Sequence, residues 1–207
     1  MKPKRTYIVL IPGKELLRLR IQSPMRPVYW ASLELRTINT LLWPGNSKAP
    51  PPVTIPDTLS VWKIDFQGRP KARQLASFSD TLLNGITMLE PESHIALIAE
   101  SSQGLIYALD IRTGEYRLFL DDPALKSPFL PDFAPIGING IHMRGQYAYF
   151  TNSYAETFNK VKVDLRKGQP VGSVEMIPIA TVADGFDLAG DGNAYLCGSH
   201  FQPCPQD

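Results

Sequence analysis

The chain has 207 residues, enough for one or two domains with a sizeable core. It is 43% hydrophobic and 20% charged, and its net charge of +1 gives no global electrostatic case for nucleic acid or a membrane surface. Pro at 19 and Gly at 15 predict many turns and few long helices, and no run approaches the roughly 18 apolar residues of a membrane span.

Charge is uneven at the start. Lys2, Lys4, Arg5, Lys14, Arg18, Arg20, Arg26 and Arg36 meet only Glu15 and Glu34, so residues 1–57 read as an irregular, basic segment with a solvated end. Tyr7-Ile8-Val9-Leu10-Ile11 is stopped by Pro12-Gly13, short of the roughly 7–15 residue apolar core of a secretion signal. No targeting segment is therefore expected, and a cytoplasmic location is the default. Trp43 to Pro52, ending in three prolines, reads as a linker.

A repeat begins after it. Ser60-Val61-Trp62-Lys63-Ile64-Asp65 looks like the outer half of a unit, over 58–80. Leu83-Asn84-Gly85-Ile86-Thr87-Met88 opens a whole unit over 83–130, and Ile138-Asn139-Gly140-Ile141-His142-Met143 opens another over 138–180. Ala183-Asp184-Gly185-Phe186-Asp187-Leu188 opens the start of a third, over 183–207. The Asn-Gly steps stand 55 residues apart, and the Asp-Gly step follows 45 later.

Each opening passes a short turn into an apolar strand: His94 to Ala99, Gln146 to Thr151 and Asn193 to Cys197. The first two units continue alike. Leu105-Ile106-Tyr107-Ala108-Leu109-Asp110 leads to a Thr113-Gly114 turn, and Lys160-Val161-Lys162-Val163-Asp164 leads to a Lys167-Gly168 turn. These runs are rich in β-branched and aromatic residues and sustain no helical period. Asp121 to Pro135 holds four prolines and reads as the connection between units.

Units of roughly 40–50 residues with four short strands are propeller blades. The fold class expected is all-β: a partial β-propeller with about three recognisable blades of a six-bladed type. A closed ring of six would need about 300 residues, so the sequence reads as truncated or diverged. Its open blade edges make self-association an expected mode of partnering.

The first strand of a propeller blade lines the central channel. Asn84, Asn139 and Asp184 hold the same place in three successive units, so their side chains are candidates to converge on one mouth. Carboxylate and amide oxygens there can hold a hard divalent cation or hydrogen-bond a polar ligand. Asn-Gly and Asp-Gly are also ordinary turn dipeptides, so a purely structural role stands beside the functional one. Glu100, Asn152 and Ser153 at the ends of second strands, and His142, are further candidates for substrate contact. Asp187 and Asp191 flank a hairpin turn rather than an EF-hand loop. Cys197 and Cys204, with His200 between them, match no zinc pattern; two free thiols or a small disulfide loop both fit.

The run Asn-Gly-Ile, Leu-Tyr-x-Leu-Asp with Thr-Gly, Gly-Ile-Asn-Gly-Ile with Tyr-Phe-Thr-Asn-Ser, and Asp-Gly-Phe-Asp-Leu-x-Gly-Asp-Gly-Asn-Ala-Tyr resembles the gluconolactonase/regucalcin-like six-bladed propellers. The likeness covers about residues 58–197. It is most similar in flavour to the fungal natural-product branch, which includes hetero-Diels-Alderases of tropolone–sesquiterpenoid pathways.

The resemblance implies a small-molecule substrate, with no nucleic-acid or membrane partner. Cyclisation or cycloaddition of a reactive intermediate is the leading activity it implies. Divalent-metal-dependent lactone or ester hydrolysis is the alternative, and a non-catalytic binding module a third. Under the lactonase reading Asn84, Asn139 and Asp184 match three of the four metal ligands, with Ca, Mg or Zn as the cofactor. The fourth, a Glu of the first blade, has no match here, since Glu15 stands in a different context. Under the cycloaddition reading no cofactor is expected, and the same three residues orient the substrate.

Overall fold

The computed structural model describes residues 6–12, 59–65, 71–79, 81–130 and 135–199. Among them thirteen strands form four antiparallel sheets. Strands β1 (Thr6–Pro12), β2 (Leu59–Asp65) and β3 (Lys71–Phe78) form the first, in that order. The second is a four-stranded meander of β4 (Leu83–Met88), β5 (Ile95–Glu100), β6 (Leu105–Asp110) and β7 (Tyr116–Asp121). The third repeats it with β8 (Ile138–Arg144), β9 (Tyr147–Asn152), β10 (Thr157–Asp164) and β11 (Gln169–Pro178). The fourth pairs β12 (Val182–Leu188) with β13 (Ala194–Ser199).

This is the expected all-β, partial-propeller plan: two whole blades flanked by parts of two others, with the first strands β4, β8 and β12 packed against one another in sequence. One feature departs from the sequence reading. Thr6–Pro12, inside the segment read as irregular, is a strand that pairs along its full length with β2. Its register, Thr6 opposite Asp65 and Ile11 opposite Ser60, copies that of β5 on β6, where Ile95 faces Asp110 and Glu100 faces Leu105. The apolar run Tyr7-Ile8-Val9-Leu10-Ile11 is the right length for a blade strand.

Strand β5 reads as a continuous apolar run because its sheet is covered on both faces. In β5, Ala96 and Ile98 pack toward the first sheet with Val61, Phe78, Leu83, Ile86 and Leu109. Leu97 and Ala99 pack the other way with Ile106, Phe119, Ile138, Ile141, Phe150, Val161 and Val163. Alternation is present, but both of its phases are buried.

The outer hairpins show why one local sequence recurs. β6 and β10 each end on Asp, whose Oδ1 accepts the amide two residues on: Arg112 N at 2.8 Å for Asp110, and Arg166 N at 3.0 Å for Asp164. The turn then closes with Gly114 N to Asp110 O and Gly168 N to Asp164 O, both 2.8 Å. Both glycines have positive φ, 84° and 59°, which side chains with a Cβ rarely adopt.

Candidate functional site

The three X-Gly steps are not turns. Each lies inside the first strand of its blade as a β-bulge, two residues opposite one. Leu83 faces Glu100 and Ile86 faces Ile98, so Asn84 and Gly85 stand against Ala99. Likewise Asn139 and Gly140 stand against Thr151, and Asp184 and Gly185 against Cys197. A bulge kinks the strand and re-aims its side chains, and such kinks gather beside binding sites.

Two of the three glycines are required by close approach of backbones. A Cβ on Gly85 would sit 2.7 Å from Asn139 O and 2.8 Å from Ile141 N. One on Gly140 would sit 2.9 Å from Asp184 O, whereas one on Gly185 would meet nothing within 4 Å. The three bulges therefore form one row, each seated on the next. The structure brings Asn84, Asn139 and Asp184 together as neighbours along that row.

Hydroxyl relays tie the row together. Asn84 Nδ2 donates to Ser101 Oγ at 3.3 Å, and Ser101 Oγ donates to Ile138 O at 2.6 Å. In the next blade Asn139 Nδ2 donates to Ser153 Oγ at 2.9 Å, and Ser153 Oγ donates to Ala183 O at 2.8 Å. Thr151 adds a second bridge: its Oγ1 accepts Gly140 N at 2.9 Å and donates to Asp184 O at 2.8 Å. Sequence reasoning alone does not find Thr151, although it directly precedes the candidate pair Asn152-Ser153.

Asn139 is 7% exposed and its Oδ1 is buried without a hydrogen-bond partner. A buried acceptor without a donor costs roughly 1–3 kcal/mol, so the atom is either a strain or a contact awaiting a ligand. Asp184 is exposed at the end of the row. Two amide oxygens and a carboxylate are the oxygen donors a hard cation takes, and the orphaned Oδ1 fits that chemistry. They fill only part of the roughly 6–8 positions of Ca²⁺. Among the described residues no group of three or more His, Cys, Asp or Glu side chains is placed to hold a metal.

The other candidates face inward. Glu100 is 0% exposed, and its oxygens accept Leu82 N at 2.8 Å, Ser102 N at 3.0 Å, Gln103 N at 2.8 Å and the Ser102 hydroxyl. It clamps the turn after β5. Asn152, in the same place after β9, donates to Ala124 O at 3.0 Å and Lys126 O at 2.8 Å and accepts Ala155 N at 3.2 Å. It anchors the Pro-rich connection to the third sheet. His142 lies edge-on to Phe186 of the next blade at 4.8 Å between ring centres. Burial pushes its imidazole below the ordinary value, against the opposing pull of Asp187 and a hydrogen bond with the Phe186 backbone.

Asp191 clamps the β12–β13 hairpin, accepting Asn193 N at 3.0 Å and Asn193 Nδ2 at 2.8 Å. Cys197 is exposed on β13, and Cys204 and His200 lie outside the described residues, as does Glu15.

No protein-family model matches the sequence. The chain is similar to a putative hetero-Diels-Alderase of Phoma sp, 29% identical over 148 residues, which take in 63% of this chain and 42% of that protein. The chain thus spans less than half the length of that curated relative. Among solved structures it is similar to regucalcin, a calcium-binding protein of Agrobacterium tumefaciens. That match has 14% identity and a TM-score of 0.46, over 66% of this chain and 42% of that one.

Proposed function

We propose that this chain carries the ligand-binding blades of a propeller enzyme that holds a small organic intermediate at the row of Asn84, Asn139 and Asp184 and orients it for cyclisation or cycloaddition. The observation that supports this most is the likeness to a putative hetero-Diels-Alderase over 63% of the chain. Such a reaction asks little covalent chemistry of the protein. Holding two reacting ends in one geometry supplies orientation that can be worth roughly 7–11 kcal/mol in well-aligned cases. A row of rigid, backbone-anchored acceptors suits that task. Asn84 and Asn139 offer carbonyl oxygens and Asp184 a carboxylate to hydroxyl or N–H groups of the ligand, and the kinked backbone holds them in fixed relation.

The test is product analysis with a substrate joining an activated heterodiene to an alkene. The protein should accelerate ring closure and bias its stereochemistry, and Asn139→Ala should reduce both. Product ratios identical to those without protein would refute the assignment.

The orphaned Asn139 Oδ1 favours a second reading, a divalent-metal-dependent lactone or ester hydrolase. Asn84, Asn139 and Asp184 would hold the cation, which would polarise the substrate carbonyl and acidify a bound water. The two readings separate with a chelator: cycloaddition should survive it, while lactone hydrolysis should vanish and should also be lost in Asp184→Ala.

A further inference from the structure

We infer that Ser101 and Ser153 are positioning residues, which dictate that Asn84 and Asn139 present their carbonyl oxygens rather than their amide nitrogens. The argument is proton bookkeeping. A serine hydroxyl has one hydrogen to give. Ser101 gives it to Ile138 O at 2.6 Å and Ser153 gives it to Ala183 O at 2.8 Å. Each oxygen can then only accept, so the end of the amide that faces it must be the NH2. The Asn139 pair closes at 2.9 Å and the Asn84 pair at 3.3 Å. The carbonyl end is turned away from the serine in both, and in Asn139 that end is the buried oxygen with no partner.

The same two serines set the blade junction. The carbonyls they serve belong to the residues immediately before Asn139 and Asp184. Orientation of one bulge side chain and seating of the next blade are therefore a single hydrogen-bonded unit. The third copy differs in kind. Register places Ser199 opposite Val182, the position Ser101 and Ser153 take relative to Leu82 and Gly137. Asp184 as a carboxylate has no hydrogen to donate, so a relay of the same polarity cannot start from it. The row thus ends in a group that only accepts. What the acceptors bind rests on the function proposed above; their orientation does not.

Side-chain amide resonances of ¹⁵N-labelled protein test this. In the wild type the Asn139 Nδ2 protons should exchange with solvent at least about tenfold more slowly than those of the exposed Asn193, as a buried hydrogen bond requires. Ser153→Ala should remove that protection at Asn139 and leave Asn84 alone, and Ser101→Ala should do the reverse. Asn159 is the internal control. Its Nδ2 donates to Thr157 Oγ1 at 2.9 Å and touches neither serine, so accelerated exchange there would report general loosening.

Asn139 protons that exchange like those of Asn193 in the wild type would overturn the inference, as would Ser153→Ala leaving them protected. That wild-type comparison holds even if a variant does not fold. Adding Ca²⁺ to the same sample tests the ligand reading separately. Unmoved Asn84 and Asn139 resonances would count against the metal and leave the positioning role intact.

Discussion

At the scale of single residues, the bulge glycines give the sharpest contrast. Gly85, Gly140 and Gly185 look interchangeable in sequence, yet a Cβ meets backbone at 2.7 Å and 2.9 Å in the first two and nothing in the third. Gly140→Ala should cost about 1–3 kcal/mol, the range for overpacking a closed site, because the nearest obstructing atom, Asp184 O, is backbone and cannot rotate away. Gly185→Ala should lie within about 0.5 kcal/mol of the parent. Thermal melts of the two variants decide it, and equal losses would disprove the stacked-bulge account.

His142 makes a second prediction at this scale. Its folded-state pKa lies below the ordinary 6.5, chiefly through burial. Between the two values the unfolded chain takes up a proton that the folded chain refuses. This contribution to stability is therefore fully present above about pH 6.5 and is lost as pH falls below it. His142→Gln should flatten the fall in melting temperature between about pH 7.5 and 5.5, where few carboxylates titrate. An unchanged slope would place the proton uptake elsewhere.

At the scale of elements, aromatic side chains bridge neighbouring blades alongside the aliphatic packing. Phe78 of β3 stacks on Tyr116 of β7 at 4.1 Å and tilts against Tyr107 of β6 at 5.7 Å, joining the first two sheets. Phe158 of β10 stands edge-on to Phe186 of β12 at 4.9 Å, joining the last two. Phe78 is 2% exposed, so Phe78→Ala should cost about 3–5 kcal/mol through lost transfer energy and a cavity. Hydrogen exchange should then quicken first in β2 and β3, with β9 and β10 least affected. Uniform acceleration across all four sheets would mean that the blades do not loosen separately.

At the scale of the whole molecule, unpaired edges are the feature to explain. Among the described residues β13 pairs only with β12, and it carries an exposed Tyr195 and an exposed Cys197. A hydrophobic strand edge invites pairing with another chain, and charge placed on it discourages this. Tyr195→Lys should lower the weight-average mass in sedimentation velocity under reducing conditions. No concentration dependence in either protein would remove this edge as a site of association.

Much of the plan was legible in the sequence. The spacing of the X-Gly steps, the Asp-x-x-x-Gly outer turns and the apolar runs between them determine blades by local rules. Asp110 and Asp164 cap their own turns, and strand length follows from the distance between turns. The sequence alone also brought forward Asn84, Asn139 and Asp184, because a repeat copies position along with residue type. It could not separate bulge from turn, since Asn-Gly suits both and only the register with β5, β9 and β13 distinguishes them.

It could not place Thr6–Pro12, whose partner β2 lies some fifty residues away and is chosen by edge pairing. Nor could it divide the polar candidates. Glu100 and Asn152 turn inward to serve backbone amides and carbonyls, while the oxygen of Asn139 is left without a donor. That difference is one of side-chain direction relative to the next blade. It arises only when blades close on one another and a serine hydroxyl has one hydrogen to give.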